Sequence, residues 1–272
     1  MIMIHKNDSG LSMAVGFVMI LMIIAMIIGM WAVIGVPEQI RDAEDYHAIG
    51  VSNAFLDYKI AVDNQRVYEW VGPNISMLIP AASAYADGAL FMKEDVGTLR
   101  VYIGGTENST YDISRLYATF GTTNTLVGYE GGGVFRNDYG YAAWVTPPSI
   151  TMETAGDDLY VTLIVPEMQG SFAVGSSEGI PVDTGLLSVS TQVLPPTNQT
   201  VSITFTADDT WDANVWNTFF YEKAIQYQNA GVHIMSDKPS IYTTSLTIYP
   251  SAVGYIYLNV ITPAYIVDVR GS

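Results

Sequence analysis

The sequence predicts an α+β protein in which a long amino-terminal transmembrane helix precedes a mostly antiparallel, sandwich-like β head domain with one further helix. Residues 11–36 contain no charged side chain, and residues 38–70 repeat apolar side chains at helical spacing. Beyond residue 84, short runs of β-branched and aromatic residues alternate with Gly, Asn, Asp and Pro. We therefore divide the chain into a cytoplasmic stub (1–10), a transmembrane helix (11–36), an amphipathic helix extension (37–72) and an extracellular β-rich head domain (73–272).

The composition excludes several functional classes. The chain has 272 residues, of which 49% are apolar and only 14% are charged, and its 27 acidic and 11 basic residues give a net charge of −16. Nucleic-acid binding needs a basic surface, so we expect no nucleic-acid partner. The chain contains no cysteine, which excludes disulfides, zinc–thiolate sites and a thiol nucleophile.

The segment 11–36 has the length and the composition of a membrane-spanning helix. As a helix it is about 39 Å long, whereas the hydrocarbon core of a bilayer is roughly 30 Å thick. A buried core helix is the first alternative, and it is disfavoured because the segment is apolar on every side. A secretory signal peptide is the second, and it is disfavoured because the apolar run is long and no small-residue cleavage site follows it. We expect a retained helix in contact with membrane lipid.

The orientation in the membrane depends on sparse evidence, because Lys6 precedes the helix and Arg41 follows it. A short amino-terminal stub with a large outside domain is the simpler topology. We therefore expect a single-pass protein of the cell membrane with a cytoplasmic amino terminus and an extracellular carboxy-terminal domain. Sequons at Asn74, Asn108 and Asn198 are glycosylation candidates and agree with this orientation.

The extension after the membrane segment is predicted to be an amphipathic helix that Gly72 and Pro73 terminate. Its apolar side chains recur at intervals of three and four, at Ile40, Ala43, His47/Ala48, Val51, Ala54/Phe55, Tyr58 and Ala61/Val62. This stripe must pack on something, and the sequence leaves two alternatives open: the head domain and other copies of the same helix.

The head domain is predicted to consist of short strands with one helix among them. The helix spans residues 210–228, with Asp208 or Asp209 as its amino-terminal cap and Gly231 at its end. The strands are predicted at 98–103, 111–120, 125–129, 133–136, 142–145, 149–153, 158–166, 170–176, 186–194, 200–206, 232–236, 241–250 and 255–261.

The sequence shows no set of residues that predicts catalysis, and we expect neither an enzyme nor a cofactor. The three histidines, His5, His47 and His233, are scattered, and the motifs of serine hydrolases, zinc peptidases and nucleotide-binding loops are absent. The three glycines at 131–133 lack a following lysine, which favours a hairpin turn over a phosphate-binding loop.

One acidic segment is a weak candidate for a calcium site. Asp208, Asp209, Asp212 and Asn214 supply the oxygen ligands that calcium prefers, but their spacing differs from that of an EF-hand. The alternative is an ordinary helix start, where negative charge meets the positive end of the helix dipole.

The abundance of tyrosine, with 18 residues, is a further feature of the sequence. Tyr139 and Tyr141, and likewise Tyr255 and Tyr257, alternate as side chains on one face of a strand do. Such rings serve either ordinary sheet packing or an adhesive, glycan-facing surface.

Several segments resemble a known family. GLSMAVGFV at residues 10–18 resembles the amino-terminal signature of archaeal type IV pilin-like surface proteins, in which a short leader ending in Gly precedes an apolar helix. RDAE at 41–44, NAF at 53–55, YEGGGVFR at 129–136 and VTPP at 145–148 resemble a euryarchaeal group of these proteins whose function is unknown.

The resemblance implies processing and assembly. A prepilin peptidase would cut between Gly10 and Leu11, and the amino-terminal helix would self-associate within a filament built by pilus-assembly machinery. The sequence departs from the pattern at Ser9, where archaeal leaders usually carry a basic residue. Val15 stands where bacterial pilins have a glutamate, an absence that is common in archaeal members.

These observations together predict a pilin-like, membrane-anchored archaeal cell-surface protein that is a structural or adhesive subunit of a surface filament or of its assembly system. The first alternative is a monomeric membrane-anchored ectodomain that binds a ligand or an envelope component. A membrane-anchored hydrolase is a further alternative, which the missing motifs disfavour.

Overall fold

The computed structural model describes residues 8–72, 74–82, 88–120, 125–251 and 254–270, with side chains from Val15 onwards. The stub predicted at residues 1–10 therefore lies largely outside the described part of the chain. The chain divides into two compact units, one ending at Tyr46 and the other beginning at His47. The second unit thus includes much of the segment predicted as a helix extension.

The amino-terminal part is helical throughout its described length. Helix α1 spans Asp8–Met30, a π-helical turn spans Trp31–Gly35, and helix α2 spans Val36–Val67. Val36 donates its backbone N–H to the carbonyl of Trp31, which is the wider i→i−5 bond of a π turn. This turn lies directly before Pro37, which has no N–H to donate and crowds the carbonyl of the preceding turn. Gly35 leaves room for the Trp31 indole, since a Cβ there would lie 2.9 Å from its Cδ1 atom.

The second half of α2 packs on the β-rich unit through the predicted apolar stripe. Ala48, Val51, Phe55, Tyr58 and Val62 are all buried. For this part of the stripe, the structure shows packing on the head domain, which is one of the two alternatives.

The β-rich unit contains two sheets. The first has six strands in the order β1-β11-β15-β8-β7, with β9 also paired to β15. The second has nine strands in the order β13-β14-β12-β2-β3-β4-β5-β6, with β10 also paired to β2. The strands are β1 (Asn74–Ile79), β2 (Gly88–Ile103), β3 (Thr106–Phe120), β4 (Thr125–Glu130), β5 (Gly133–Asp138), β6 (Tyr141–Thr146), β7 (Ile150–Ala155), β8 (Asp158–Ile164), β9 (Glu167–Gln169), β10 (Phe172–Ser176), β11 (Ile180–Val193), β12 (Val201–Ala207), β13 (Ile234–Asp237), β14 (Thr243–Ile248) and β15 (Ile256–Val269).

Antiparallel pairing dominates both sheets, as predicted. The exceptions are the pairs that β15 makes with β8 and with β9, which are parallel. Strand β15 is also antiparallel to β11, so it joins the two halves of the six-stranded sheet.

Two apolar cores lie in this unit. One core surrounds helix α3 (Thr210–Asn229), where Trp216, Phe219 and Phe220 pack against strands of both sheets. The other core surrounds the second half of α2, where Phe55 and Tyr58 are packed among strands of both sheets. Each core therefore places one helix against side chains from both sheets.

The predicted α+β fold class is confirmed. Every predicted strand overlaps an observed strand, and the helix predicted at 210–228 is α3. Asp209 occupies the amino-terminal cap position of α3, and Gly231, with φ of +88°, follows its carboxy-terminal cap. Strands β1 and β9 and the first ten residues of β2 were missing from the prediction.

Candidate functional site

The most exposed apolar surface in the described chain is the amino-terminal helix. The helical segment Val15–Val67 contains a stretch of 18 residues that is long and apolar enough to cross a membrane, and none of that stretch is buried. Phe17, Met22, Met26, Ile27 and Val33 are each more than half exposed. A continuous apolar surface of this length is unfavourable in water, so it needs lipid or another apolar partner around it.

The histidines considered as catalytic residues take part in aromatic packing. His47 meets the ring of Phe120 edge-on, with 5.2 Å between the ring centroids. His233 lies against Tyr249 at 4.7 Å. His5 lies outside the described residues.

The three glycines at 131–133 form a hairpin turn, as predicted. Gly131 and Gly132 connect β4 to β5 with φ of +53° and +89°, and Glu130 pairs with Gly133 across the turn. A Cβ on Gly131 would lie 2.8 Å from Cζ2 of Trp216, and one on Gly133 would lie 2.7 Å from Cζ3 of Trp144. Glycine is therefore needed here both for the left-handed backbone and for the close approach of two tryptophans.

A buried ion cluster lies beside this turn. Arg115 on β3 and Glu130 on β4 are cross-strand partners, and the Arg115 Nε donates to Glu130 Oε2 at 2.5 Å. The Arg115 Nη2 donates to Asp212 Oδ2 in the first turn of α3, and Asp209 Oδ2 lies 3.8 Å from Nη1. The side chains of Arg115, Glu130 and Asp212 are at most 6% exposed. We call these three residues the Arg115 cluster.

Aromatic side chains enclose the cluster. The indole Nε1 of Trp216 donates to Glu130 Oε1 at 2.8 Å, which occupies the second oxygen of that carboxylate. The Arg115 guanidinium lies 4.6 Å from the Trp211 ring and 5.5 Å from the Phe135 ring. Cation–π contacts of this kind stabilise a charge that has lost its water.

The cluster holds two carboxyl groups and one guanidinium away from water, and its protonation follows from that imbalance. Burial raises the pKa of Asp212 well above its usual range, and the nearby charge of Glu130 raises it further, although Arg115 opposes both effects. The pKa of Arg115 is raised by its two acidic partners, which outweigh the effect of burial. A proton on Asp212 leaves one carboxylate facing one guanidinium. Of the charge states of this buried site, this balanced state has the lowest electrostatic free energy.

The Arg115 cluster connects three elements that are distant in sequence. It joins β3, the β4–β5 hairpin and the start of α3, and the glycine turn brings Trp216 against the same carboxylate. Its chemistry is that of a structural ion cluster that fixes α3 on the nine-stranded sheet.

In the structure, the four calcium candidates contact basic side chains. Asp208 lies 3.5 Å from the Lys93 ammonium, Asp209 and Asp212 face Arg115, and Asn214 accepts a hydrogen bond from Lys238. Within the described ranges, no group of three or more His, Cys, Asp or Glu side chains is placed to hold a metal ion. The alternative interpretation, that of a helix start, fits Asp209 at the cap position of α3.

The remaining predicted site residues lie on the surface or in the amino-terminal helix. Asn74 begins β1, Asn108 lies in β3, and Asn198 lies between β11 and β12; all three side chains are exposed. Gly10 and Leu11, the predicted processing point, lie in the first turn of α1.

In each of the two tyrosine pairs only one member lies in a strand, and in the second pair Tyr255 directly precedes β15. Tyr139 and Gly140 form the turn between β5 and β6, with φ of +54° at Tyr139, so the prediction that Tyr139 and Tyr141 share one strand face is wrong. Tyr257 lies on β15 and stacks on its register partner Tyr160, with centroids 4.6 Å apart and planes inclined by 10°.

Arg115 and Glu130 were not singled out from the sequence, because the predicted strands were not aligned with one another. A signal was present: in the predicted hairpin of strands 111–120 and 125–129, a continued antiparallel register places residue 115 opposite residue 130. Glu130 also follows an otherwise uncharged strand and precedes the glycine turn.

The fold and these sites together define an α+β protein that combines one exposed apolar helix with a two-sheet domain built around a buried ion cluster. The chain belongs to a family of unknown function, DUF7289, whose profile matches residues 84–248, more than half of the chain. Neither the comparison with curated proteins nor that with solved structures gave a match.

The matched region contains all three residues of the Arg115 cluster and the glycine turn. It leaves out α1, α2 and β15. The structural domain is therefore larger than the matched region, because β15 is needed to connect β11 with β8.

Proposed function

We propose that this protein is a pilin-like, membrane-anchored archaeal cell-surface protein, a non-catalytic structural or adhesive subunit of a surface filament or of its assembly system. Its helix crosses the cell membrane once, with the amino terminus in the cytoplasm and the β-rich domain outside. The observation that supports anchoring is the exposed apolar stretch of the Val15–Val67 helix.

The exposed apolar surface of the same helix and its small residues support assembly through this helix. Such a helix leaves the bilayer only if another apolar surface replaces the lipid, and identical helices supply one. Gly16 and Gly29 leave open space around their Cα atoms, since a Cβ at either would meet no atom within 4 Å. Small residues of this kind let neighbouring helices approach closely.

Release from the membrane would follow leader removal. In this proposal a prepilin peptidase cuts between Gly10 and Leu11, and the mature chain begins with the apolar helix. The residues at 10–18 support this step through their resemblance to pilin-like signatures.

The test is the intact mass and amino-terminal sequence of the protein from native membranes and from sheared surface material. We expect a chain that begins at Leu11 and that is recovered in the sheared fraction. The variant Gly10→Val should block cleavage and keep the protein in membranes, whereas the control Gly16→Val changes the same residue type inside the helix and should still be cleaved.

Two results would contradict the proposal. A chain that retains the residues before Gly10 and is found only in membranes would favour the monomeric anchored ectodomain. Recovery of the protein in the soluble cytoplasmic fraction would refute anchoring itself.

A further inference from the structure

An open cavity of about 220 Å³ lies at one end of the β-rich unit. The β7–β8 turn, residues 231–233 before β13 and residues 249–251 and 255–256 meet there. Its lining includes Asp157, Asp158, His233, Tyr249, Ser251 and Tyr255. Pockets for drug-sized ligands measure roughly 300–1,000 Å³, so this cavity suits a single ring-sized group.

Aromatic rings form part of the cavity wall and of the surface beside it. Tyr249 packs against His233 at 4.7 Å, and Tyr255 is 47% exposed. Two residues after Tyr255, Tyr257 stacks on Tyr160, which is 40% exposed. Exposed tyrosines offer an apolar ring face and a hydroxyl together, a combination that suits ligands with both apolar and polar edges.

Hydrogen bonds hold the polar groups of the cavity in place. Asp158 Oδ1 accepts the backbone N–H of Tyr255 at 2.9 Å, and Ser251 Oγ donates to the Asp157 carbonyl at 3.0 Å. The charge of the Asp158 carboxylate also raises the pKa of Tyr257. A carboxylate accepts up to about four hydrogen bonds, so Asp158 retains capacity for ligand hydroxyls.

The charges around the cavity restrict the ligand. The residues that line it include two aspartates and neither lysine nor arginine, and the whole chain carries a net charge of −16. Phosphorylated, sulfated and carboxylated ligands are therefore repelled. A neutral sugar fits both features, because its hydroxyls donate to carboxylates and its C–H faces pack on aromatic rings.

We propose that this cavity binds one neutral sugar unit of a glycan, with Tyr255 contacting the ring face and Asp158 accepting its hydroxyl protons. The site would give the outside domain an adhesive role. It depends on neither leader cleavage nor filament assembly, so the two proposals stand or fall separately.

The experiment is saturation-transfer NMR on the full chain in detergent micelles. The probes are the methyl glycosides of glucose, galactose, mannose and N-acetylglucosamine, with glucuronic acid and choline as charged comparisons. We expect transfer to at least one neutral glycoside with millimolar affinity. Tyr255→Ala and Asp158→Asn should each weaken that binding about tenfold, which corresponds to about 1.4 kcal/mol. Tyr221→Ala, which changes an exposed tyrosine on α3 outside the cavity, should leave it unchanged.

Each remaining outcome overturns the proposal. Absence of transfer to all four neutral glycosides excludes a sugar site. Binding that survives both cavity variants places the sugar elsewhere, and transfer to choline alone makes this a site for organic cations. Should Tyr255→Ala melt early, Asp158→Asn provides the deciding measurement, because it keeps an oxygen that can accept the Tyr255 N–H.

Discussion

Replacing Arg115 by methionine tests whether the Arg115 cluster stabilises the β-rich domain. The substitution keeps a long, mostly apolar side chain and removes the positive charge that faces Glu130 and Asp212. The two carboxyl groups then remain in a site that is about 1% exposed, without the guanidinium that compensated them.

The size of the effect follows from the burial of the pair. Removing one partner of a buried ion pair costs about 3–5 kcal/mol of unfolding free energy. For a domain of this size, 1 kcal/mol shifts the melting temperature by about 2–4 °C, so we expect Arg115→Met to lower it by about 6–20 °C. The lower part of that range is favoured, because Asp212 already has a raised pKa and takes up a proton more easily than a surface carboxyl.

The assay is thermal unfolding of the full chain in detergent, followed by circular dichroism. The matched control is Arg100→Met on the neighbouring strand β2, where Arg100 is 42% exposed and its Nε lies 3.9 Å from Glu107. Surface ion pairs contribute about 0–1 kcal/mol, so the control should shift the melting temperature by less than about 4 °C. Equal shifts for the two variants would refute the reasoning.

Two further substitutions examine the same region. Burial and the charge of Glu130 raise the pKa of Asp212, so its stabilising contribution is complete below the unfolded-state pKa near 4 and is lost as the pH rises through the folded-state pKa. Asp212→Asn should therefore flatten the fall in melting temperature as the pH rises above about 4; an unchanged slope would assign the pH dependence to other groups. Gly131→Ala places a Cβ 2.8 Å from Trp216, and it should destabilise the domain more than Gly140→Ala, where φ is +89° and no atom lies within 4 Å. Chemical denaturation measures the free energy of unfolding of these two glycine variants. Backbone strain alone costs about 1–3 kcal/mol, so an equal loss in the two variants would exclude a contribution from the contact with Trp216.

Much of the fold could be predicted from the sequence, because the spacing of apolar residues reflects which side chains are buried. The stripe at Val51, Phe55 and Tyr58 follows helical spacing, and alternation in strands such as β12 follows the two faces of a sheet. Strand β9 was not predicted because its three residues, Glu167–Gln169, are too few to show an alternating pattern. Its partner strand, β15, also lies nearly a hundred residues later in the sequence.

The candidate sites were less accessible for a different reason. The Arg115 cluster depends on the register between strands and on the packing of α3. Neither can be predicted from composition. The cavity at Tyr255 joins residues 154–159 to two segments that begin about 70 residues or more later in the sequence. The processing point at Gly10 and Leu11 and the filament function remain predictions.

Strand β15 imposes an order on how this protein can be made. It follows all of its sheet partners in the sequence, yet it lies between β11 and β8 and pairs in parallel with β8. While the chain emerges, β7 and β8 can form a hairpin but cannot join β1 and β11 until β15 is available. In the topology proposed above, the domain must cross the membrane almost entirely before its six-stranded sheet can close. Maturation would then begin in the bilayer and finish outside it, with exposed sheet edges in the interval for chaperones to cover.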